Sequence, residues 1–411
     1  MIRFFVFGAA FLLFSTSLSI AGGYQVSLHG QRQTGMGLIG TSLHMDASTM
    51  FFNPGGLAMM PQQVSILGGA SGIFASTAFR MEQPSVYQAK TDNPPGTPFY
   101  FYAAAMVTDR LAAGVAVNTP YGNSLSWEED WAGRFLIQDI SLRAITIQPT
   151  LSYRITDMLS VGAGFVYTFG SVDMTQALPV TGSDGEEGRV SIEGSTANYG
   201  FNAGIQFSHP GGLQAGLSYR SHIDMELEDA DALFSVPSSL AGNFPAENSV
   251  AVTLPLPANL DFGLSYQFTR DFMAGISLNY VFWDVYEELN FDFDTNTPAL
   301  EDSRNPRNYS NTLIARIGGE YKVNPDLLLR AGAYFDPSPV HEDYFSPETP
   351  SLDNLAFSGG LTYMPTRNLS IDASLLFIMG LEKEAAYSPE NFGGTYSTRA
   401  VIPGIGISYR L

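Results

Sequence analysis

Cysteine is absent from the 411 residues. That excludes thiol nucleophiles, disulfide staples and cysteine-ligated zinc. Lysine is nearly absent: Lys90, Lys322 and Lys383 are all there are. With 20 basic side chains against 40 acidic ones the formal net charge is −20, the wrong sign for a nucleic-acid partner. The acidic stretches Glu128-Glu129-Asp130, Glu226 to Asp231, and Asp292 with Asp294 read as solvated loops in preference to a divalent-cation site. No apolar run of about 20 residues occurs, so no helix of the chain is expected to span a bilayer. Five histidines are present (His29, His44, His209, His222 and His341), but no G-x-S-x-G, H-E-x-x-H or P-loop accompanies them. The chain is therefore read as a non-enzyme, with no cofactor and no metal.

The amino terminus reads as an address. Arg3 is followed by the apolar run Phe4 to Phe14 and by the small-x-small site Ser19-Ile20-Ala21. Residues 1–21 are assigned as a signal peptide and Gly22 as the first mature residue. Export without a stop-transfer helix leads to the periplasm, the outer membrane or the exterior.

What is abundant is glycine (41), phenylalanine (29) and tyrosine (20), in a chain of mean hydropathy only +0.03. From about residue 62 these fall into a period of two, the signature of β-strand. Leu159, Val161, Ala163, Phe165 and Tyr167 alternate with Ser160, Gly162 and Gly164; Leu369, Ile371, Ala373, Leu375 and Phe377 alternate with Ser370, Asp372 and Ser374. The non-apolar set is Gly, Ser, Asn and Asp, which suits a crowded polar lumen, and the apolar set would face lipid. Some fourteen segments follow this rule: 62–79, 98–108, 110–119, 137–154, 158–175, 196–209, 212–228, 257–269, 272–293, 310–323, 326–338, 354–366, 368–383 and 398–411. Short connections such as Thr108-Asp109-Arg110 and Thr269-Arg270-Asp271 alternate with long ones such as 120–136, 176–195 and 229–256. This is the plan of an outer-membrane barrel with short periplasmic turns. The expected architecture is all-β: a 14-stranded antiparallel transmembrane β-barrel over 62–411. Residues 22–61 do not alternate, yet they carry Leu28, Leu38, Ile39, Leu43, Phe51, Phe52 and Leu57, too apolar for a solvated tail. They are assigned as an N-terminal hatch, a plug inside the lumen.

Several blocks then coincide in order and spacing. Gly35-Met36-Gly37, Asp46-Ala47-Ser48 and Asn53-Pro54-Gly55-Gly56-Leu57 come first, then Asn118-Thr119-Pro120-Tyr121-Gly122 and Tyr219-Arg220-Ser221. Leu254-Pro255-Leu256-Pro257, Trp283 and Phe335-Asp336-Pro337-Ser338-Pro339-Val340 follow. Together the blocks resemble the FadL-type long-chain fatty acid transporters of the outer membrane, a family that includes aromatic-hydrocarbon uptake relatives. The resemblance covers nearly all of the mature chain. It departs at Gly55, where the family usually has Ala, and at the terminal Tyr409-Arg410-Leu411, where outer-membrane barrels commonly end on an aromatic residue. The resemblance implies a fourteen-stranded barrel closed by an amino-terminal hatch. The ligand would enter between outer loops, reach an apolar pocket and leave laterally where the third strand kinks, without energy coupling.

The residues allow named expectations. Asn53, Pro54 and Gly55 mark where the hatch leaves the lumen, with gating as a consequence. Pro120 interrupts ladder pairing and Gly122 permits unusual dihedrals, so a sheet defect there fits a lateral opening, and ordinary loop entry fits as well. Leu233, Phe234, Val236 and Phe244 offer an apolar groove, or pack on one another. For a carboxylate, Arg134, Arg220 and Arg330 are the candidate anchors together with Arg143, and a lumen ion pair is the competing use of each. The expected partners are a fatty acid or neutral hydrocarbon, and outer-membrane lipid and lipopolysaccharide around a monomer. A general porin and a structural barrel are the rival functions.

Overall fold

The computed structural model describes residues 23–81, 86–182 and 185–411; the assigned signal peptide lies outside them. Fourteen strands close a barrel in chain order. They are β1 Val64–Ser71, β2 Phe99–Met106, β3 Leu111–Ser126, β4 Asp139–Arg154 and β5 Leu159–Thr181. Next come β6 Glu187–Ser208, β7 Leu213–Arg220, β8 Ala258–Gln267, β9 Phe272–Phe282 and β10 Thr312–Asn324. The last are β11 Leu327–Asp336, β12 Asn354–Tyr363, β13 Leu369–Tyr387 and β14 Phe392–Arg410. Every neighbour is antiparallel, and β1 closes the circle by pairing Ser65 with Arg410 of β14 and Val64 with Ala105 of β2. Closure leaves no backbone edge for lipid, which cannot hydrogen-bond one.

Alternation decides which side of each strand meets lipid. Phe101, Leu151, Phe165, Phe201, Ile317, Phe357 and Ile405 are exposed outward, while Ser152, Ser160, Gln206, Ser277 and Ser374 are buried inward. Phe99, Phe101 and Tyr409 face outward near strand ends, whereas Tyr100, Tyr102, Trp283 and Tyr286 are buried. The short turns are set by threonine. Thr108, Thr156, Thr269 and Thr366 each accept a backbone N–H three residues on, at 3.0, 3.0, 3.0 and 3.1 Å.

Several expected boundaries change. The segments 110–119, 158–175, 196–209 and 398–411 run on into the expected long connections, to Ser126, to Thr181, from Glu187 and from Phe392, so 176–195 is largely paired strand. The segment 62–79 breaks after β1, and Phe74–Met81 continues beside β14 as a separate strand. The segment 212–228 ends at Arg220, because Ser221 substitutes for the ladder: its N–H donates to Phe201 O and its Oγ accepts from Phe201 N–H. Beyond it Ile223–Ser235 and Glu247–Leu256 form a β-hairpin, so the stretch 229–256 is largely paired β-structure. Segment 272–293 stops at Phe282, and a 3-10 turn at Trp283–Val285 leads to a separate outer strand Glu288–Phe293.

Residues 23–60 lie inside the wall. They hold two short helices, Gln31–Thr34 and Thr49–Phe52, and a 3-10 turn Pro54–Met59. Their backbone approaches wall backbone so closely that glycine is required on the strands. A Cβ on Gly162 or Gly204 would strike Pro54 or Asn53, and one on Gly318 or Gly332 would strike Met36 or Gly37. Gly55 obeys the same rule: a Cβ there would lie 2.6 Å from Gly204 O. The departure from the family's Ala thus has a steric reason. Asn53 is fully buried and satisfies four groups. Its Nδ2 donates to Thr41 O, Ile205 O and Gln206 Oε1 at 2.9, 3.0 and 3.0 Å, and its Oδ1 accepts from Gly55 N–H at 3.0 Å.

Asn53→Ala removes both halves of this arrangement and leaves buried groups unpaired. It is expected to loosen residues 41–58 by roughly 3 kcal/mol, against an unsatisfied-group cost of about 1–3 kcal/mol each. Hydrogen–deuterium exchange of that stretch in detergent measures it; unchanged protection would show that Asn53 is not the tie.

Candidate ligand-binding site

The lumen on the long-loop side becomes apolar because the strands change phase. On β5 the apolar set is odd-numbered up to Phe169 apart from the buried Val166, and Phe165 and Phe169 are exposed. Above Gly170 the set becomes even-numbered, so Val172 and Met174 turn inward. β4 behaves alike: Ile145 and Ile147 face out, whereas Ile140, Leu142 and Ala144 line the interior. Ile192 of β6 joins them, with Met225, Leu227, Val252, Leu254 and Leu256 of the outer hairpin. They surround an apolar space of about 850 Å³, counting the open solvent at its mouth. Its one lining carboxylate is Glu348. The guanidinium of Arg307, 2% exposed, holds it through Nη2 at 2.7 and 3.0 Å. Arg143 also borders the cavity, but its side chain occupies an outward, exposed position of β4.

The floor of the cavity is built from two chain segments. The β3 ladder shifts register between Asn118 and Tyr121. There Val26 N–H donates to Pro120 O at 2.8 Å and Gly122 N–H to Tyr24 O at 3.1 Å, so Gln25 stands opposite Tyr121 in a short bridge. The Tyr24 hydroxyl donates to Pro255 O, and that of Tyr121 to Pro257 O at 3.3 Å. Tyr24 also packs edge-on against Trp283, 5.0 Å between centroids. Pro120 and Gly122 therefore interrupt β3 where the amino-terminal segment docks.

A polar chamber lies on the other side of this floor and shares Tyr121 with the cavity. It is lined by Gln25, His29, Pro120, Arg220, Asn259, Asp261, Asn279 and Arg316, among others. Arg220 stacks on Phe51, 4.4 Å from the ring centroid, and its Nη2 donates to Phe51 O and Gln148 Oε1 at 3.3 and 3.1 Å.

The sequence-chosen residues divide as follows. Arg220 faces the chamber. Arg330 is buried but fully engaged: its Nε donates to Glu320 at 2.7 Å and its Nη1 to Asp372 at 3.4 Å. Glu320 also takes two bonds from Arg32, at 2.8 and 2.6 Å. That network ties the amino-terminal segment to β10, β11 and β13, far from the apolar cavity. Arg134 lies outside the lumen in a bidentate pair with Glu187, 2.7 Å on each arm. Leu233, Phe234, Val236 and Phe244 do not line the cavity. Phe234 packs on Phe244 and Phe293 at 5.9 and 6.0 Å, and Leu233 is exposed, so that end of the hairpin packs on itself. The cavity residues themselves carried a sequence signal, the reversal of apolar phase at Gly170. Tyr24, Glu348 and Arg316 carried none, being isolated residues brought together by the fold.

Residues 12–411 match the family model described as outer membrane protein transport protein (OMPP1/FadL/TodX). The chain is 24% identical over 306 residues to outer membrane protein P1 of Haemophilus influenzae, covering 68% of this chain and 65% of that relative, just under two thirds of its length. It is 22% identical over 386 residues to the long-chain fatty acid transport protein of Escherichia coli K12, covering 84% and 85% of the two chains. Among solved structures, a Pseudomonas aeruginosa FadL homologue superposes with a TM-score of 0.82 at 20% identity, covering 95% of this chain and all of that one. The Ralstonia pickettii toluene transporter TbuX gives 0.72 at 20% identity, covering 93% and 98%. At these identities the structural likenesses establish the fold.

Two histidines of the amino-terminal segment are held neutral. Burial, then the nearby Arg220 charge, pushes His29 well below its ordinary value. Burial, then Arg154, lowers His44 to about 4 from 6.5. A base depressed in the folded state binds its proton more readily when released. The stability it contributes is therefore present above the ordinary value and lost as pH falls. Acidification from about 6.5 towards about 4 is expected to increase hydrogen exchange in residues 23–60, and less so in His44→Gln. Equal protection at both ends of that range would show that neither histidine is coupled to the packing.

Proposed function

Because the chain belongs to the OMPP1/FadL/TodX family of outer-membrane transport proteins, we propose that it carries long-chain fatty acids passively across the outer membrane. The apolar cavity inside the barrel carries this reading. It lies between the long loops and the floor formed by Tyr24–Val26 and Pro120–Gly122. Each methylene taken from water contributes about 0.8 kcal/mol. The floor is held by two backbone hydrogen bonds and two tyrosine hydroxyl bonds, together roughly 2–6 kcal/mol net. A long acyl chain exceeds that, and a compact hydrocarbon of a few carbons only matches it. Hydrophobic ligands alone could then drive the displacement, with residues 23–30 as the moving part and the Arg32–Glu320–Arg330 network holding the rest. Pro120 and Gly122 would mark the lateral way out, and Asn53, Pro54 and Gly55 the fixed base of the hatch. A lumen filled by residues 23–60 does not suit a general porin.

One observation favours a second reading, uptake of neutral hydrocarbons. The cavity wall presents a carboxylate, Glu348, held by Arg307, while Arg143 at its border occupies an outward, exposed strand position.

Saturable binding of radiolabelled oleate to the purified full-length protein is expected. Leu254→Trp, which fills the cavity, should weaken it at least about tenfold, equivalent to about 1.4 kcal/mol. Toluene binding without oleate binding would move the substrate to neutral hydrocarbons. Binding of neither would remove the uptake reading.

A further inference from the structure

The loop after β11 does not stay on the surface. It exposes residues 341–343 and then turns inward, so that Phe345 to Pro347 and Ser351 to Asp353 are buried. Both ends of the inward stretch are moored to β13. Phe345 N–H donates to Ala386 O at 3.0 Å, and Leu381 N–H donates to Asp353 O at 2.6 Å. Between these moorings residues 346–351 cross the lumen as a strap. Two of its hydrogen bonds reach the floor, one on each side of the seam where Tyr24–Val26 meets Pro120–Gly122. Glu348 O accepts from Asn123 Nδ2 at 3.0 Å, and Asn123 follows Gly122, whose N–H donates to Tyr24 O. Ser351 Oγ accepts from Gly23 N–H at 3.1 Å, and Gly23 precedes Tyr24. The strap therefore bonds both segments within one residue of the hydrogen bonds that join them. Between its two bonds, Glu348 and Thr349 line the apolar cavity. Further ties hold the strap in place: Trp127 Nε1 donates to Pro347 O at 3.3 Å, the Tyr309 hydroxyl lies 3.1 Å from Thr349 Oγ1, and Arg307 holds the Glu348 carboxylate. Asn123 and Ser351 themselves stand outside the cavity wall.

We propose that residues 348–351 clamp this seam and release it when an apolar tail fills the cavity, with Asn123 and Ser351 as positioning residues. The two bonds act in series, one on each side, so cutting either frees the seam as fully as cutting both. The release has a physical source. The Glu348 side chain, 12% exposed, is a charged group on an apolar wall. A tail packed against it removes its remaining water, a cost that is relieved when the strap shifts and carries the carboxylate out of the wall. A ligand moves an equilibrium only through such a difference between two states. This rests on the uptake reading and deepens it, by naming the element through which occupancy of the cavity reaches the floor.

Hydrogen exchange of the Val26 and Gly122 amides, the two backbone donors of the seam, reads its opening directly in the full-length protein in detergent. Without ligand, Ser351→Ala and Asn123→Ala are each expected to speed that exchange about two- to tenfold, as loss of one hydrogen bond does. The double variant is expected to be no faster than the singles. Oleate affinity should stay within about threefold of the wild type in all three, since neither residue is on the wall. Unchanged protection of residues 41–58 separates loss of the clamp from loss of the fold. Saturating oleate should accelerate the two amides at least about fivefold in the wild type and less than about twofold in the variants. Unchanged ligand-free rates in either single variant overturn the proposal. So do effects that multiply in the double variant, because independent contacts add in free energy. Saturable oleate binding that leaves the wild-type amides unchanged also overturns it, with uptake still standing. Oleate that does not bind removes the uptake reading and the release with it, while the ligand-free rates still decide whether the strap holds the seam.

Discussion

A ring of fourteen strands encloses more space than its own inward side chains can fill, since about eight strands is the width that side chains alone close. Everything distinctive in this molecule follows from how that space is occupied. Residues 23–60 have almost no regular structure, so many of their backbone polar groups must be satisfied by the wall. Hence the inward faces of β5, β6, β10 and β11 carry glycine where the segment touches them, and Ser, Asn and Gln where it needs a partner. Ser152 and Ser160 each donate to Gly55 O at 3.0 and 2.5 Å, and Gln148 and Asn202 to Met50 O at 2.8 and 3.1 Å. The same filling divides the lumen into an apolar cavity, a floor and a polar chamber.

The division of labour along the segment is electrostatic as well as steric. Its middle is fixed by Arg32 to Glu320 and by Asn53 to β6. Its first residues are held by a bridge of two backbone hydrogen bonds to β3 and by tyrosine contacts. In the proposed transport, that contrast would let one end move while the barrel stays closed. A buried ion network is a poor source of net stability, but removing one partner of it is expensive. It therefore suits an anchor that must not slip.

Much of the fold was legible in the sequence because lipid and lumen impose opposite demands on alternate residues. Leu159 to Phe169 and Leu369 to Phe377 could be read as strands with their faces assigned. What could not be read was where a strand leaves the wall. Met225 and Leu227 continue the alternation of β7, yet they belong to the outer hairpin, since period two reports extended backbone and not the sheet it joins. Ser221, the residue that breaks the ladder, follows Leu217 and Tyr219 on the lipid-facing phase, and a single serine there carries no strand-end signal. The site was less legible still. Loop hydrophobicity pointed to Leu233, Phe234, Val236 and Phe244, of which Phe234 packs on Phe244 and Leu233 is exposed, while the cavity is lined a few residues closer to the membrane. Charge alone could not rank the arginines. Arg134 and Arg330 are matched by carboxylates distant in sequence, Glu187, Glu320 and Asp372, and Arg220 is not.

In the proposed transport, ligand bound in the apolar cavity would proceed only when Tyr24–Val26 parts from Pro120–Gly122. The cysteine-free chain permits a clean lock at the bridged pair, Gln25→Cys with Tyr121→Cys. The decisive measurement is oleate uptake through this variant, oxidised and then reduced, beside oleate binding to the same samples. The account predicts binding in both states, uptake lost on oxidation and regained on reduction. Undiminished uptake with the disulfide formed would contradict it.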